Sequence, residues 1–328
     1  MKAYLWERYG PPGSLRLAEV EKPVPRADEV LVKVLGVSVN PADWHSVRGK
    51  PLFSRLMLGL VRPKYRIAGG DIAGQVEAVG AGVRQFKIGD DVYANLLDHG
   101  YGGFADYVSV PLGAMSLKPA NLTYEEAAAV PTAAGTALQG LRHHGEIQTG
   151  EQVLINGASG GVGSFAVQIA KSYGAEVTGV TSTRNLDLVR SLGADHVIDY
   201  TGSDFADGAR RYDLILDTIG NRSVRDLRRA LAEGGKAAVT GFTTVRKLSA
   251  VVLRGGKNVA QVSAHVTDKD LQVLSELIET GKVRPKIDRR YPFAEIPEAI
   301  AYLEEGHARG KVVVGVAPSA PPSQRSDH

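Results

Sequence analysis

Apolar and polar positions along this chain follow two patterns, and the change between them divides it. After residue 150, short apolar runs alternate with amphipathic stretches. Val153-Leu154-Ile155 is an unbroken apolar run, as in a strand covered on both faces. It enters the glycine-dense turn Asn156-Gly157-Ala158-Ser159-Gly160-Gly161-Val162-Gly163. A helix is predicted over Ser164 to Lys171, because Phe165, Ala166, Ile169, Ala170 and Tyr173 share one face and Gly174 stands at the stop. Glu176 to Thr181 is a β-branched run, and Leu186, Val189 and Leu192 space like a helix ending at Gly193. Further strands are predicted at His196 to Tyr200, Tyr212 to Asp217 and Ala237 to Thr240, with a helix from Ser223 to Leu231 closed by Gly234-Gly235. Strands alternating with helices of this length predict a parallel, doubly wound sheet.

Before residue 120 the pattern is that of many short strands. Glu29 to Val39 and Gln75 to Val79 read as strands, and Gly and Pro recur at Gly10 to Gly13, Gly69-Gly70, Gly80 to Gly82, Gly89 and Gly100 to Gly103. This predicts a β-rich domain. After residue 265 come a helix (Asp268 to Thr280), an extended stretch (Val283 to Tyr291), a helix (Ile296 to Glu305) and a strand (Lys311 to Val316) expected to return to the first domain. The Pro- and Ser-rich end, residues 317–328, is expected to be disordered.

Composition narrows the classes. A formal charge of +3 from 39 basic and 36 acidic residues gives no case for nucleic acid. Arg222, Arg225, Arg228 and Arg229 are read as a solvated helix face. Zero cysteines exclude disulfides and thiolate metal sites. With no secretory pattern at MKAYLWERYGPPGS and no membrane-spanning run, the expectation is a cytoplasmic protein without a membrane partner.

The turn supplies the first chemistry. Glycines let backbone approach a pyrophosphate whose charge meets free N–H groups at a helix N-terminus. Ser159, Gly160, Gly161 and Val162 are the candidates, although Ala158 to Gly163 reads A-x-x-G-x-G rather than G-x-G-x-x-G. An NAD site usually carries an acid at the end of the second strand. Here Thr181-Ser182-Thr183-Arg184 stand there instead, hydroxyls and a guanidinium suited to a 2′-phosphate, so NADPH is expected. The alternative is a helix cap at Ser182 or Thr183 with Arg184 solvated. Tyr200 flanks either the adenosine phosphate or solvent. Thr218 and Ile219, after the fourth strand, and Gly241 and Phe242, after the fifth, fall where strand ends open into a crevice.

Ordered motifs carry a resemblance over Met1 to about Val316. They are Val37-Ser38-Val39-Asn40-Pro41-Ala42-Asp43, Gly74 to Gly80 (GQVEAVG), Phe86 to Val92 (FKIGDDV), Gly102 to Tyr107 (GGFADY), Ala127 to Thr132 (AAAVPT), the ASGGVG turn, and His307 to Val313 (HARGKVV). Together they resemble the medium-chain dehydrogenase/reductase superfamily in its zinc-independent quinone oxidoreductase branch. That resemblance implies an α/β protein: a GroES-like β-rich catalytic domain, residues 1–121 and 266–316, and a doubly wound Rossmann domain, residues 122–265. It implies a cleft between them and a homodimer. It places Thr132 near the nicotinamide and Arg309 and Lys311 at the cleft's closing edge, the alternative for both being solvated charge.

Zinc-dependent relatives have a ligand cysteine where this chain has Asn40, and a Gly-His-Glu motif where it has Gly69-Gly70-Asp71. His45, His99, His143 and His144 show no paired ligand spacing, so no metal is expected. Without a Lewis acid, the fitting acceptor is an activated C=C bond of an enone or enal, or a quinone. Asn40 is the leading candidate to orient the nicotinamide ribose or substrate oxygen, against a turn-shaping role before Pro41. Asp43 positions a neighbouring donor or caps a helix. Trp44 and His45 line the cleft or pack, and Tyr93 and Tyr101 are open as proton donors. Lys50 to Arg66, apolar and basic, is read as substrate-lining. The remaining alternatives are a zinc-free alcohol or ketone reductase and a dinucleotide-binding interaction protein without turnover.

Overall fold

A computed structural model describes residues 1–316; the expected disordered end, residues 317–328, lies outside the described residues. The apolar runs after residue 150 form one six-stranded parallel sheet. Its spatial order is His196–Asp199, Glu176–Thr181, Gln152–Asn156, Tyr212–Asp217, Leu231–Val239, Val259–Gln261. In sequence terms this is 3-2-1-4-5-6, the doubly wound dinucleotide-binding order, which opens a crevice where the first and fourth strands meet.

Side chains alternate between the faces of this sheet with period two. Val153, Ile155, Leu214 and Leu216 join helix residues Phe165, Ala166 and Ile169 in one core. Leu154, Ile215, Val180 and Val239 join Leu227 and Val251 in a second, on the opposite face. Covering both faces is what makes the strands read as continuous apolar runs.

The strand expected at Ala237 to Thr240 begins instead at Leu231, directly after helix Val224–Ala230. Pairing with Tyr212–Asp217 overrides Gly234-Gly235, which is absorbed at an irregularity between Tyr212 and Leu214. Helix Val245–Arg254 was not predicted although Val245, Leu248, Val251 and Val252 fall at helical spacing, and the edge strand Val259–Gln261 is too short to show a pattern.

The β-rich part is built on the long strand Glu29–Val39, which pairs with Asp71–Val79, Tyr107–Pro111 and Lys311–Gly315. The expected C-terminal return therefore occurs, as an antiparallel pairing of Val312 to Gly315 with Val39 to Gly36. Helix Asp268–Glu279 stands just past the expected boundary at 265/266. Its Leu271, Leu274 and Ile278 join the dinucleotide-side core, while Tyr93 of the other sheet donates to Leu271 O at 2.5 Å. The two parts thus share packing as well as a cleft.

Close approach at the glycine turn is steric. A Cβ built on Gly163 would lie 2.1 Å from Gly157 O and 2.8 Å from Ala158 Cα. Gly163→Ala is expected to lower stability by about 1–3 kcal/mol in urea unfolding. Gly113→Ala, with nothing within 4 Å of the added methyl, should stay within about 0.5 kcal/mol. Equal effects of the two would refute the packing role.

Candidate active site

The crevice is shaped from strand ends inward. Gly157 has φ 86°, and a Cβ there would meet Thr218 Oγ1 at 2.5 Å and Ile219 Cδ1 at 2.7 Å. Thr218 is locked by its N–H and hydroxyl, which donate to Asn156 O at 3.1 and 2.8 Å. Asp217, unmarked in the sequence, is buried and accepts from Asn156 Nδ2 at 2.7 Å and from the N–H groups of Ile219 and Gly220 at 3.0 Å. A Cβ on Gly220 would lie 2.2 Å from Gly241 O, so the loop carrying Gly241 and Phe242 touches the one carrying Thr218 and Ile219.

Helix Gly161–Ser172 starts at this crevice, and the Ser164 N–H bonds back to Gly160 O at 2.9 Å. The N–H groups of Gly161, Val162 and Gly163 precede the first intrahelical bond and point out of the helix end. A Cβ on Gly161 would meet only Lys311 Cδ at 3.3 Å and Gly310 O at 3.6 Å. This cradle fits a pyrophosphate.

At the adenosine end the expected residues separate into two roles. Thr181 Oγ1 and Asn185 Nδ2 donate to Ser159 Oγ at 2.8 and 3.1 Å, so Thr181 and Ser159 brace the turn through their side chains. Neither Ser182 nor Asn185 makes a side-chain cap bond to the helical segment it precedes. Arg184 is exposed, and its carbonyl accepts from Arg309 Nη2 at 3.4 Å, which brings two guanidinium residues to one rim.

A carboxylate at the end of the third strand lies beside this rim. Asp199 accepts from Thr183 Oγ1 at 2.5 Å and from the Thr201 N–H and hydroxyl at 2.9 and 2.7 Å, bonds that hold its pKa below the usual carboxylate value. The expectation of an acid-free rim is corrected accordingly: pairing of neighbouring strands, invisible as sequence distance, brings Asp199 to Thr183. Tyr200 is 57% exposed beside it.

The other end of the crevice is buried and carries ionisable groups. Asp71, at the head of its strand, is fully covered and receives five donor atoms: Thr132 N at 3.1 Å, Thr132 Oγ1 at 2.7 Å, Asn40 Nδ2 at 2.9 Å, Ser38 Oγ at 3.3 Å and Asn95 Nδ2 at 3.4 Å. Asn95 also donates to Thr132 Oγ1 at 2.8 Å. Lys311, 3% exposed, donates to Asn40 Oδ1 at 2.5 Å. Its alternative reading as a solvated charge is overturned, while Arg309 is exposed.

Asn40 fills the turn-shaping role before Pro41 and adds a link between two buried charges. It precedes helix Pro41–Arg48 as N-cap, and its amide bridges Asp71 to Lys311. Asp43 closes the capping box through Asn40 N–H to Oδ2 at 2.7 Å, while its buried Oδ1 has no hydrogen-bond partner among the described residues. Burial pushes the Asp43 carboxyl up to about 7, aided by Asp71 and opposed by the Asn40 N–H, Lys311 and the Gly70 N–H. Burial also raises Asp71 and lowers Lys311, each opposed by the other's charge. The five donors on Asp71 mark it as the ionised carboxylate.

Asp71 and Asn95 were the functional residues that sequence reasoning passed over. Each is a polar end to an apolar strand, and the two are paired in register. That polar pair at aligned strand ends is the signal a reader could have used.

Around this cluster, His45 stacks between Trp44 (3.6 Å between centroids) and Phe242 (5.6 Å), joining the two sides of the cleft. Tyr93, fully buried and bonded to Leu271 O, is removed as a proton donor. Tyr101 Oη is 2.9 Å from Ser46 Oγ, and burial pushes its pKa up to about 12. Arg225, Arg228 and Arg229 are exposed, as a solvated face requires, while half-buried Arg222 pairs with Asp204 and Arg229 pairs with the exposed Asp207.

A zinc ion is poorly matched by these donors. Both ends of the Asn40 amide are engaged, Lys311 puts an ammonium against it, and a Cβ on Gly70 would lie 2.4 Å from Leu97 Cδ2. Among the described residues no group of three or more His, Cys, Asp or Glu converges as a metal site.

The folded chain keeps a proton on Asp43 up to about pH 7, whereas the unfolded chain loses it near the ordinary 3.8. The folded state binds more protons in between, so this group's contribution to stability falls as pH rises through that window. His45, pushed down by burial, acts in the opposite sense below its ordinary 6.5. Asp43→Asn removes only the first effect: from about pH 5 to about pH 8 the variant's Tm should fall less than wild type's. Equal slopes would contradict the placement of that proton.

Comparison with known proteins fits this geometry. Residues 26–120 match the alcohol dehydrogenase GroES-like domain family, and residues 192–314 match the zinc-binding dehydrogenase family. The chain is 37% identical to an NADPH-dependent alkenal/one oxidoreductase of Arabidopsis thaliana, over 96% of this chain and 79% of the relative. It is 35% identical to a 2-methylene-furan-3-one reductase of Solanum lycopersicum, over 97% and 80%. The solved quinone oxidoreductase of Coxiella burnetii superposes with a TM-score of 0.86 at 30% identity, covering 97% of this chain and 99% of that one. With this order of domains, this sheet and these relatives, the chain belongs to the medium-chain dehydrogenase/reductase superfamily, in its quinone oxidoreductase-like branch.

Proposed function

We propose that this protein is an NADPH-dependent, zinc-independent oxidoreductase that delivers hydride to the activated C=C bond of an enone or enal, or to a quinone. The observation that carries the reading is the join between the pyrophosphate cradle and the buried Asn40–Asp71–Thr132–Lys311 cluster. The Lys311 stem lies against Gly161 and its ammonium meets Asn40. A bound cofactor would supply hydride. The chain's part is to hold the phosphates at Ser159 to Val162, to fix Thr132 and Asn40 through Asp71, and to keep bulk water from the reacting face. Arg184 and Arg309 would take the 2′-phosphate, with Ser182 beside them, while Thr183 stays tied to Asp199.

The names of the relatives support a conjugated acceptor: an alkenal/one, a 2-methylene-furan-3-one and a quinone all carry C=C bonds conjugated to a carbonyl. Such acceptors spread the incoming charge onto oxygen without a metal. No helix among the described residues is long and apolar enough to cross a membrane. The reading includes a homodimer, for which the edge strand Val259–Gln261, paired on one side only, and the exposed Val252 and Leu253 offer a surface.

Chelator-treated protein is expected to oxidise NADPH with quinones, enones and enals, followed by loss of reduced-cofactor absorbance, and to leave simple ketones unreacted. Arg184→Ala should raise KM for NADPH about tenfold and leave that for NADH unchanged, as loss of a charge-assisted phosphate contact requires. Turnover confined to ketones would overturn the acceptor class, and equal effects on both cofactors would overturn the role of Arg184.

A further inference from the structure

The buried cluster is unbalanced in charge. Asp43, Asp71 and Lys311 are each at most 3% exposed, and they supply two carboxyl groups against one ammonium. Asp71 is committed to its five donors and, through the Asn40 amide, to Lys311. Asp43 is left with one satisfied oxygen and one buried Oδ1 without a partner. The groups facing Asp43 are known from each element around it. The Asp71 strand contributes Asp71 and, just before it, the backbone N–H of Gly70, which favours the charged form but is outweighed by burial; the returning strand contributes Lys311; the loop after Asn95 contributes Tyr101, which Asp43 influences through its charge. No further cation is among them.

Position along the crevice gives this imbalance a use. The pyrophosphate cradle lies at Gly160 to Val162, and the adenosine rim at Thr181 to Arg184 lies to one side of it. Lys311 runs from Gly161 to Asn40 on the other side. A dinucleotide seated on the cradle therefore places its nicotinamide ribose and ring toward the cluster. That ring is neutral when reduced and cationic once its hydride has left.

We infer that Asp43 is a redox-coupled proton store: it holds a proton while the reduced dinucleotide is bound and releases it when the ring beside the cluster becomes cationic. The balance closes. The hydride carries two electrons to the acceptor carbon or quinone, the acceptor's enolate or quinolate oxygen needs one proton, and Asp43 gives up one proton as the ring's new charge supplies the missing cation. The cluster then holds two carboxylates against Lys311 and the cationic ring. A carboxyl poised near neutral pH by burial suits this role, because a modest change in neighbouring charge moves it across the working range.

The inference rests on the dinucleotide reading above, and one calorimetric experiment separates the two. NADP⁺ and NADPH are each titrated into the full chain in two buffers of different ionisation enthalpy, at pH 7 and at pH 9. The 2′-phosphate and adenine are common to both ligands, so their proton changes cancel in the difference. NADP⁺ is expected to release more protons than NADPH at pH 7, by on the order of 0.4, and the difference should vanish at pH 9. In Asp43→Asn it should vanish at both pH values, and NADP⁺ should lose about tenfold more affinity than NADPH above pH 8.

Equal proton release from both ligands in the wild type overturns the inference while leaving the dinucleotide site intact. A difference that persists in Asp43→Asn assigns the proton elsewhere and also overturns it. Binding of neither ligand overturns the dinucleotide reading itself. Should Asp43→Asn fail to fold, the infrared difference spectrum between the two wild-type complexes decides. A protonated-carboxyl C=O band is expected with NADPH and absent with NADP⁺, and an unchanged band counts against the store.

Discussion

Asp71 is the fixed point of this structure. Its carboxylate is buried where the two domains meet, and each element around it contributes a donor to it. Ser38 and Asn40 come from the end of the long strand and the helix cap, Asn95 from the adjacent strand, and Thr132 from the start of helix Pro131–Gln139 on the dinucleotide side. Lys311 arrives from the C-terminal strand and neutralises it through Asn40. A buried ion pair is weak grounds for net stability, because desolvation consumes most of the attraction. Removing one partner is different, costing about 3–5 kcal/mol through the charge left behind. The pair therefore works as a registration device: Thr132, Asn40 and Lys311 can occupy their places only when both domains and the C-terminal strand are correctly assembled.

The dinucleotide half of the fold was legible because its physics is local and periodic. A strand covered on both faces must be apolar throughout, so Val153 to Ile155, Glu176 to Thr181 and Tyr212 to Asp217 announced themselves, and two of the three predicted ranges match the strands observed. The turn was legible because only glycine tolerates what surrounds Gly157 and Gly163. Where pairing outweighed local preference, reading failed. Leu231 to Val239 is extended despite Gly234-Gly235, because the neighbouring strand dictates its path. Val259–Gln261 is three residues long and has no pattern to show.

The site was legible in its members and not in its wiring. Asn40, Asp43, Thr132 and Lys311 were all anticipated, and the structure gathers them with Asp71. No sequence distance reveals that Lys311, 271 residues from Asn40, donates to its amide. Nor does any reveal that Asp199, 16 residues from Thr183, occupies its hydroxyl. The same limitation left Tyr93 open as a proton donor, since its bond to Leu271 spans 178 residues. Long-range hydrogen bonds decide whether a polar side chain faces a ligand or the protein, and those are properties of the assembled fold.

The two ends of the crevice therefore hold a dinucleotide by different physics. Arg184 and Arg309 stand in solvent on one rim, where water and salt screen them within about 8–10 Å. Their attraction for a phosphate is specific in geometry but weakens as ionic strength rises. At the other end the charges are sealed from water, where the effective dielectric is far lower and each charge acts at greater strength. Salt barely reaches that end, whereas protonation does. In the proposed reading, a cofactor anchored in this way is selected at its exposed phosphate and sensed, in its redox state, at its buried ring. That reading makes the ends separable: altering the rim should change which dinucleotide enters, and altering the cluster built on Asp71 should change how its two oxidation states differ once inside.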